Sequence, residues 1–229
     1  MTAPHLILLP GLDGTGFLFR PLLAALPDHV RTKVVAYPTT EQLDLSQLAA
    51  FVLRHLPAEK VVLLAESFSG LVALAVLASS PARVRGVIFV GAFAEPPRPL
   101  LLRFAPLVSR VGGLMRSIPS FFLRRYCLGA QATTSELNAL REAIAAVAPA
   151  VLAQRLALIA TRHSFGTSDV PAYYMKASAD SLVPASCASW FHQKFKPCEV
   201  EEVRGPHFLL QANPRDSAAV IIRALRAFA

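Results

Sequence analysis

The sequence predicts an α/β fold: a mostly parallel sheet of about six strands, helices on both faces, and a helical cap inserted before the fifth strand. Three observations lead to it. Short runs rich in Val, Ile and Leu alternate with helix-period segments along most of the 229 residues. That alternation stops between residues 95 and 169, where no strand pattern occurs. The composition, 54% hydrophobic and only 17% charged, supplies a large core and excludes wholesale disorder.

Strands are predicted at residues 5–9, 32–36, 60–65, 84–90, 172–177 and 198–203. They read as continuous apolar runs, the pattern of parallel strands buried on both faces. Between them, residues 17–26 form a helical pattern that stops at Pro27. Residues 45–56 have Asp44 as N-cap and Pro57 as their stop. Residues 71–79 stop before Pro81. Residues 184–195 carry Pro184 in the first turn, where a missing N–H costs nothing, and residues 214–228 form the last helix. Crossovers between parallel strands are right-handed.

The segment without strands reads as a cap over the strand ends. Residues 100–111 are helical, Gly112-Gly113 is a break, and residues 118–128 are helical again. A long helical stretch covers 134–161. Thr133 and Glu136 have capping-box spacing at its start, and Pro149 divides it. The expected organisation is a core of 1–94 and 170–229 with a cap of 95–169.

Several classes are set aside. Three cysteines, Cys127, Cys187 and Cys198, make no disulfide or metal pattern and fit a reducing, cytoplasmic compartment. The apolar run within residues 1–10 reads as a strand rather than a signal peptide, and no run is long enough to cross a bilayer. A net charge of +8 admits nucleic acid, anionic lipid or an acidic partner. No nucleic-acid module is present, and the basic residues interleave with Leu and Val rather than with stacking aromatics.

The most informative stretch is Ala65-Glu66-Ser67-Phe68-Ser69-Gly70, between an apolar strand and an apolar helix. A buried strand ending on a serine that turns at once into a helix is the layout of a nucleophile elbow, with the hydroxyl standing above the sheet. The other register, with Ser69 as nucleophile, puts Leu71 where a small residue is needed.

Three further features sit where that layout requires them. Pro10-Gly11-Leu12-Asp13-Gly14-Thr15-Gly16 follows the first strand. Its glycine spacing fits neither a dinucleotide loop nor a P-loop. It suits an oxyanion loop, with the backbone N–H groups of Leu12 and Phe68 as donors. Asp180 follows the fifth strand and His207 the sixth. His163, at the end of the cap, is the reserve histidine. Each feature alone has a plain alternative: a Ser-rich turn, a tight strand-to-helix turn, a helix cap, a surface histidine. Together, Ser, Asp and His stand in that order at the C-terminal ends of different strands, the edge where open α/β sheets bind ligands.

On these residues the chain resembles the α/β-hydrolase superfamily, and within it the small, capped, cofactor-free carboxylesterases. The carriers are Leu9 to Gly16, Ala65 to Gly70, Asp180-Ser181-Leu182-Val183-Pro184 and Gly205-Pro206-His207-Phe208. Pro10 stands where a His commonly precedes the oxyanion glycine, and Ala65 and Ser69 stand where the elbow usually has glycines. The resemblance implies Ser67 as nucleophile, His207 as base and Asp180 as its orienter, with no metal or organic cofactor. It implies hydrolysis of carboxylic esters or thioesters through an acyl-enzyme. Acyl transfer and lactone cleavage use the same groups, and a non-catalytic receptor on the same scaffold is the reading of another class. From residue 98 to 135 the chain has Arg98, Arg103, Arg110, Arg116, Arg124 and Arg125 and no Asp or Glu. That patch suits a substrate with an anionic part, an acidic carrier protein or an anionic lipid surface.

Overall fold

A computed structural model of the chain describes residues 5–98 and 118–229. The predicted helix at 100–111, the Gly112-Gly113 break and Arg103, Arg110 and Arg116 lie outside the described residues.

Six parallel strands form one sheet in the order β2-β1-β3-β4-β5-β6. They are β1 (His5–Leu9), β2 (Thr32–Val34), β3 (Val61–Glu66), β4 (Val84–Val90), β5 (Ala172–Ala177) and β6 (Cys198–Val203). The chain first grows from β1 outward to β2, then returns to the other side of β1 and continues from β3 to β6. The direction of growth reverses between β1 and β3, so a crevice opens above their C-terminal ends.

The strands divide their side chains strictly by period two. Ile7, Leu9, Val61, Leu63, Ala65, Val87 and Phe89 enter one core. That core is closed by α2 (Leu45–His55), α3 (Ser69–Ser79) and α6 (Cys187–Lys194). Leu6, Leu8, Val62, Leu64, Ile88 and Val90 enter the other core, under α1 (Arg20–Ala25) and α7 (Pro214–Ala227). The expectation of burial on both faces holds for the four inner strands and fails at the edges. β2 and β6 are largely exposed because each has a neighbour on one side only. On β6 Glu199, Val200 and Glu202 are exposed; Glu202 pairs with Lys176 at 2.8 Å, and the half-buried Glu201 with Arg223. Charges on an edge strand discourage further strand pairing.

Two predicted caps take the form of full capping boxes. Asp44 accepts from Gln47 N at 2.8 Å while Gln47 Oε1 accepts from Asp44 N at 2.8 Å. Thr133 and Glu136 exchange the same pair of bonds at the start of α4 (Thr134–Ala145). The long predicted helix is two helices. Pro149 is the first residue of α5 (Pro149–Ala160), which is bent 96° from α4. Both helices, with the one-turn helix Ser120–Phe122 and the π-helical turn Leu123–Leu128, belong to the insertion between β4 and β5. Leu137, Leu140, Ile144, Val151 and Leu152 give the insertion its own small core, which also packs Leu12 and Phe208. No single helix among the described residues is long and apolar enough to cross a membrane.

The helix that follows Ser67 approaches the sheet closely at one glycine. A Cβ on Gly70 would lie 2.7 Å from the Ala92 Cβ and 3.3 Å from the Phe93 carbonyl oxygen, both too short to be flexible. Gly70→Val is expected to cost about 2 kcal/mol by overpacking, or roughly 4–8 °C in Tm for a chain of this size. Gly166, with nothing within 4 Å of its missing Cβ, is the control site. Thermal melts in which Gly70→Val and Gly166→Val behave alike would contradict this packing.

Candidate active site

β3 ends on Glu66, and Ser67 adopts φ 51°, the one positive φ at a non-glycine residue among those described. Such a conformation costs roughly 1–2 kcal/mol in an L-residue, and the surroundings enforce it. Ser67 N donates to Val90 O at 2.9 Å, and Ser67 O accepts from Gly70 N at 2.9 Å as α3 begins. The side chain therefore projects above the sheet edge and not into either core.

Two more strand ends bring partners to it. His207, four residues after β6, places Nε2 2.9 Å from Ser67 Oγ. Its Nδ1 lies 2.7 Å from Asp180 Oδ2, and both side chains are less than a tenth exposed. Asp180 stands three residues beyond β5. Its other oxygen, Oδ1, accepts from Leu182 N at 2.9 Å and Val183 N at 2.8 Å. One oxygen shapes the aspartate's own loop and the other meets the imidazole. An ionised Asp180 accepts from Nδ1–H, which leaves the Nε2 lone pair free to accept from Ser67 O–H. Asp180 is not a helix cap, because α6 begins at Cys187. His163 is elsewhere: its Nε2 meets Leu158 O at 2.8 Å and its ring tilts over Phe165.

The N–H groups of Leu12 and Phe68 make no hydrogen bond within the described residues. Leu12 and Ser67 face a common cavity of about 340 Å³. Its far side is apolar, with Leu140, Ile144, Leu152, Leu156 and Ile159 from α4 and α5. Cys127 also faces it, but burial, with the Asp180 carboxylate adding, pushes the thiol up to about 12. It stays protonated near neutral pH and is a poor nucleophile. Among the described residues no three of His, Cys, Asp and Glu gather as metal ligands.

The groups behind Ser67 are not apparent from the sequence. Ser69 fills more than a glycine's place. It is fully buried, donates to Pro10 O, and meets the Tyr37 hydroxyl at 2.5 Å. Glu66 is almost fully buried and accepts from Gln211 Nε2 at 2.9 Å. Arg155 reaches in from α5 at 2% exposure. Their only sequence signals were a Glu closing an apolar strand, a Gln four residues after His207, and an Arg inside an apolar helix.

Burial pushes the Glu66 carboxyl up to about 7 from its ordinary 4.5. The Gln211 amide, His207 and the Gly11 N–H pull the other way, and Asp13 adds to the rise. Gln211 Oε1 is buried without a partner. When the Gln211 amide turns over, a protonated Glu66 can donate to that oxygen. The folded protein thus holds this proton more tightly than the unfolded chain. Stability therefore falls as pH rises from about 4.5 through about 7, by an amount on the order of 3 kcal/mol. Glu66→Gln is expected to flatten that limb in urea midpoints measured from pH 5 to 8. Parallel profiles for the two proteins would show that Glu66 titrates normally.

The alpha/beta hydrolase family model matches residues 6–220. No curated protein matches the chain by sequence. Among solved structures, an esterase from Thermogutta terrifontis superposes with TM-score 0.81 at 18% identity, over 99% of this chain and 91% of that one. The enol-lactonase from Burkholderia xenovorans LB400 gives 0.83 at 16%, over 99% and 92%. The type II thioesterase BorB from the borrelidin biosynthetic cluster gives 0.70 at 21%, over 98% and 94%. At these identities the structural likeness speaks for the fold. The family match spans nearly the whole chain, and with the sheet order and the Ser67 turn it shows that the chain belongs to the alpha/beta hydrolase family.

Proposed function

We propose that the protein is a serine hydrolase that cleaves carboxylic esters or thioesters through an acyl-enzyme on Ser67. The observation that carries this reading is the chain of contacts at the cavity floor: Ser67 Oγ to His207 Nε2 at 2.9 Å, and His207 Nδ1 to Asp180 Oδ2 at 2.7 Å. His207 takes the Ser67 proton as Oγ attacks the carbonyl carbon, and Asp180 fixes the tautomer and stabilises the imidazolium. The tetrahedral oxyanion sits between the Leu12 and Phe68 N–H groups. The intermediate collapses as His207 protonates the leaving alcohol or thiol. Water, deprotonated by the same imidazole, then releases the acid and frees Ser67.

The apolar wall formed by Leu140, Ile144, Leu152, Leu156 and Ile159 suits an acyl chain. Each buried methylene is worth about 0.8 kcal/mol, so kcat/KM for p-nitrophenyl esters is expected to rise roughly fourfold per added carbon until the cavity fills. Ser67→Ala is expected to lose both turnover and labelling by a fluorophosphonate probe. Undiminished labelling of that variant, or no turnover of any ester by the wild type, would sink the assignment. The esterase, enol-lactonase and thioesterase structures show how far leaving groups differ on this fold.

We also propose that the substrate carries an anionic group. Arg98 faces the cavity and donates Nε to Leu182 O at 3.2 Å, and Arg125 donates to Ser181 Oγ at 2.7 Å. Neither guanidinium pairs with a carboxylate among the described residues. Residues 98–135 contain no acid. On the same segment Phe121 is 70% exposed, so an acidic carrier protein or a lipid surface meets the same chemistry. S-hexanoyl pantetheine and its 4′-phosphate differ by one anionic group. The phosphate is expected to raise kcat/KM about tenfold at low ionic strength, a gain that 0.5 M salt and the Arg98→Ala/Arg125→Ala double variant both erase. Equal rates for the two thioesters would refute the anionic reading.

A further inference from the structure

We propose that Arg155 is a positioning residue for the oxyanion loop, so that a helix of the insertion sets the geometry in which Ser67 reacts. The inference rests on the serine-hydrolase reading.

The loop from Pro10 to Gly14 has all five carbonyl oxygens held. Pro10 O accepts from the Ser69 hydroxyl. Gly11 O accepts from Gly14 N at 3.1 Å, which closes a four-residue turn, and Gly14 O accepts from Tyr37 N at 2.8 Å. The remaining two belong to Arg155: its Nη1 donates to Leu12 O at 2.9 Å and to Asp13 O at 2.6 Å. Its Nη2 reaches Pro38 O at 2.9 Å. A trans peptide is planar, so holding Leu12 O fixes the Leu12–Asp13 unit, while the Leu12 N–H is coplanar with Gly11 O, which Gly14 N holds. The Leu12–Asp13 peptide is the central unit of the turn, the one whose flip interconverts turn types I and II. A flip needs positive φ at residue 13, and Asp tolerates that conformation better than most residues. The turn alone therefore does not choose, and the guanidinium does. It draws the Leu12 carbonyl out toward the insertion, and the turn so anchored, closed by Gly14 N on Gly11 O, carries the Leu12 N–H of the preceding Gly11–Leu12 unit.

The fit around Arg155 is specific. A Cβ on Gly14 would lie 2.4 Å from Arg155 Nη1, and Gly14 itself has φ +70°, so glycine is what lets the cation seat there. The guanidinium also lies over the Tyr37 ring, 5.6 Å from its centroid. Among the described residues no carboxylate pairs with it. Burial pulls its pKa down, while Tyr37 and the Asp13 carboxylate act against that. Asp13 stays beside it because its Oδ1 accepts from Thr15 N at 2.9 Å. A buried cation held on carbonyls behind an N–H donor also favours negative charge on the donor's far side.

Arg155→Lys keeps the charge but not the fork that spans three carbonyls, and Arg155→Met removes both. For variants that stay folded, the expected result is a fall in kcat of about 30-fold for Lys and about 100-fold for Met, with KM within twofold of wild type. The discriminating measurement is inhibitor affinity. A hexyl trifluoromethyl ketone adds to Ser67 and forms a tetrahedral oxyanion, whereas hexanol only occupies the cavity. Ketone affinity is expected to fall by the same factor as kcat/KM, with hexanol affinity unchanged. If Arg155→Met does not fold, the Lys variant alone decides. Wild-type kcat in a folded Lys variant, a rise in KM alone, or equal weakening of ketone and alcohol would each overturn the role given to Arg155. A wild type that neither turns over esters nor binds the ketone overturns the hydrolase reading instead.

Discussion

The left-handed backbone at Ser67 is the constraint on which the rest of the site depends. An isolated strand-to-helix turn would relax it. Here β3 delivers the chain to that point with every residue buried, and Val90 O receives the Ser67 N–H. α3 starts two residues later and is pressed against Ala92 and Phe93 through Gly70. The strain is local, and its compensation comes from two packed cores. One result is a hydroxyl that can touch only what lies above the sheet, and His207 is what lies there.

Around this turn the protein has assembled buried polar groups that a simple core would avoid. Glu66, Asp13, Arg155, Ser69 and Gln211 are all nearly or fully buried within the elbow and its neighbouring loop. Burying such groups is unfavourable unless their hydrogen bonds are made. Most are made, and they tie five separate chain segments together: the loop after β1, the β2–α2 connection at Tyr37, the turn at Ser67, α5, and the segment Leu209–Ala212 that carries Gln211. Hydrophobic packing of the same volume would not define the orientation of individual peptide units.

Much of the architecture was legible in the sequence because it depends on neighbours along the chain. Runs such as Val61 to Ala65, caps such as Asp44 with Gln47, and the stop at Pro57 carry their cause within a few residues. The order Ser67, Asp180, His207 was legible because each follows a strand. What escaped depends on partners far away. Ser69 read only as a residue in a glycine's place because Pro10, its partner, lies 59 residues upstream. Nothing near Arg155 in the sequence marks it, because its carbonyls are 142 and 143 residues distant. β2 ends at Val34 rather than 36 because Tyr37 N turns away to Gly14 O. β6 reads as an apolar run in spite of Glu199, Glu201 and Glu202; its place at the sheet edge is a property of topology.

The grip of α5 on the loop after β1 also bears on how such proteins can be recombined. Helical insertions in this position invite treatment as exchangeable modules, grafted from one core to another to change substrate range. In this chain a transplant that discards residues 118–160 would strip Leu12, Asp13 and Pro38 of their shared donor. Three carbonyls would be left facing whatever the foreign segment offers, at about 1–3 kcal/mol for each one left dry. Compatible donors for such chimeras are those that bring an arginine to the same helical position, over a glycine in the recipient loop.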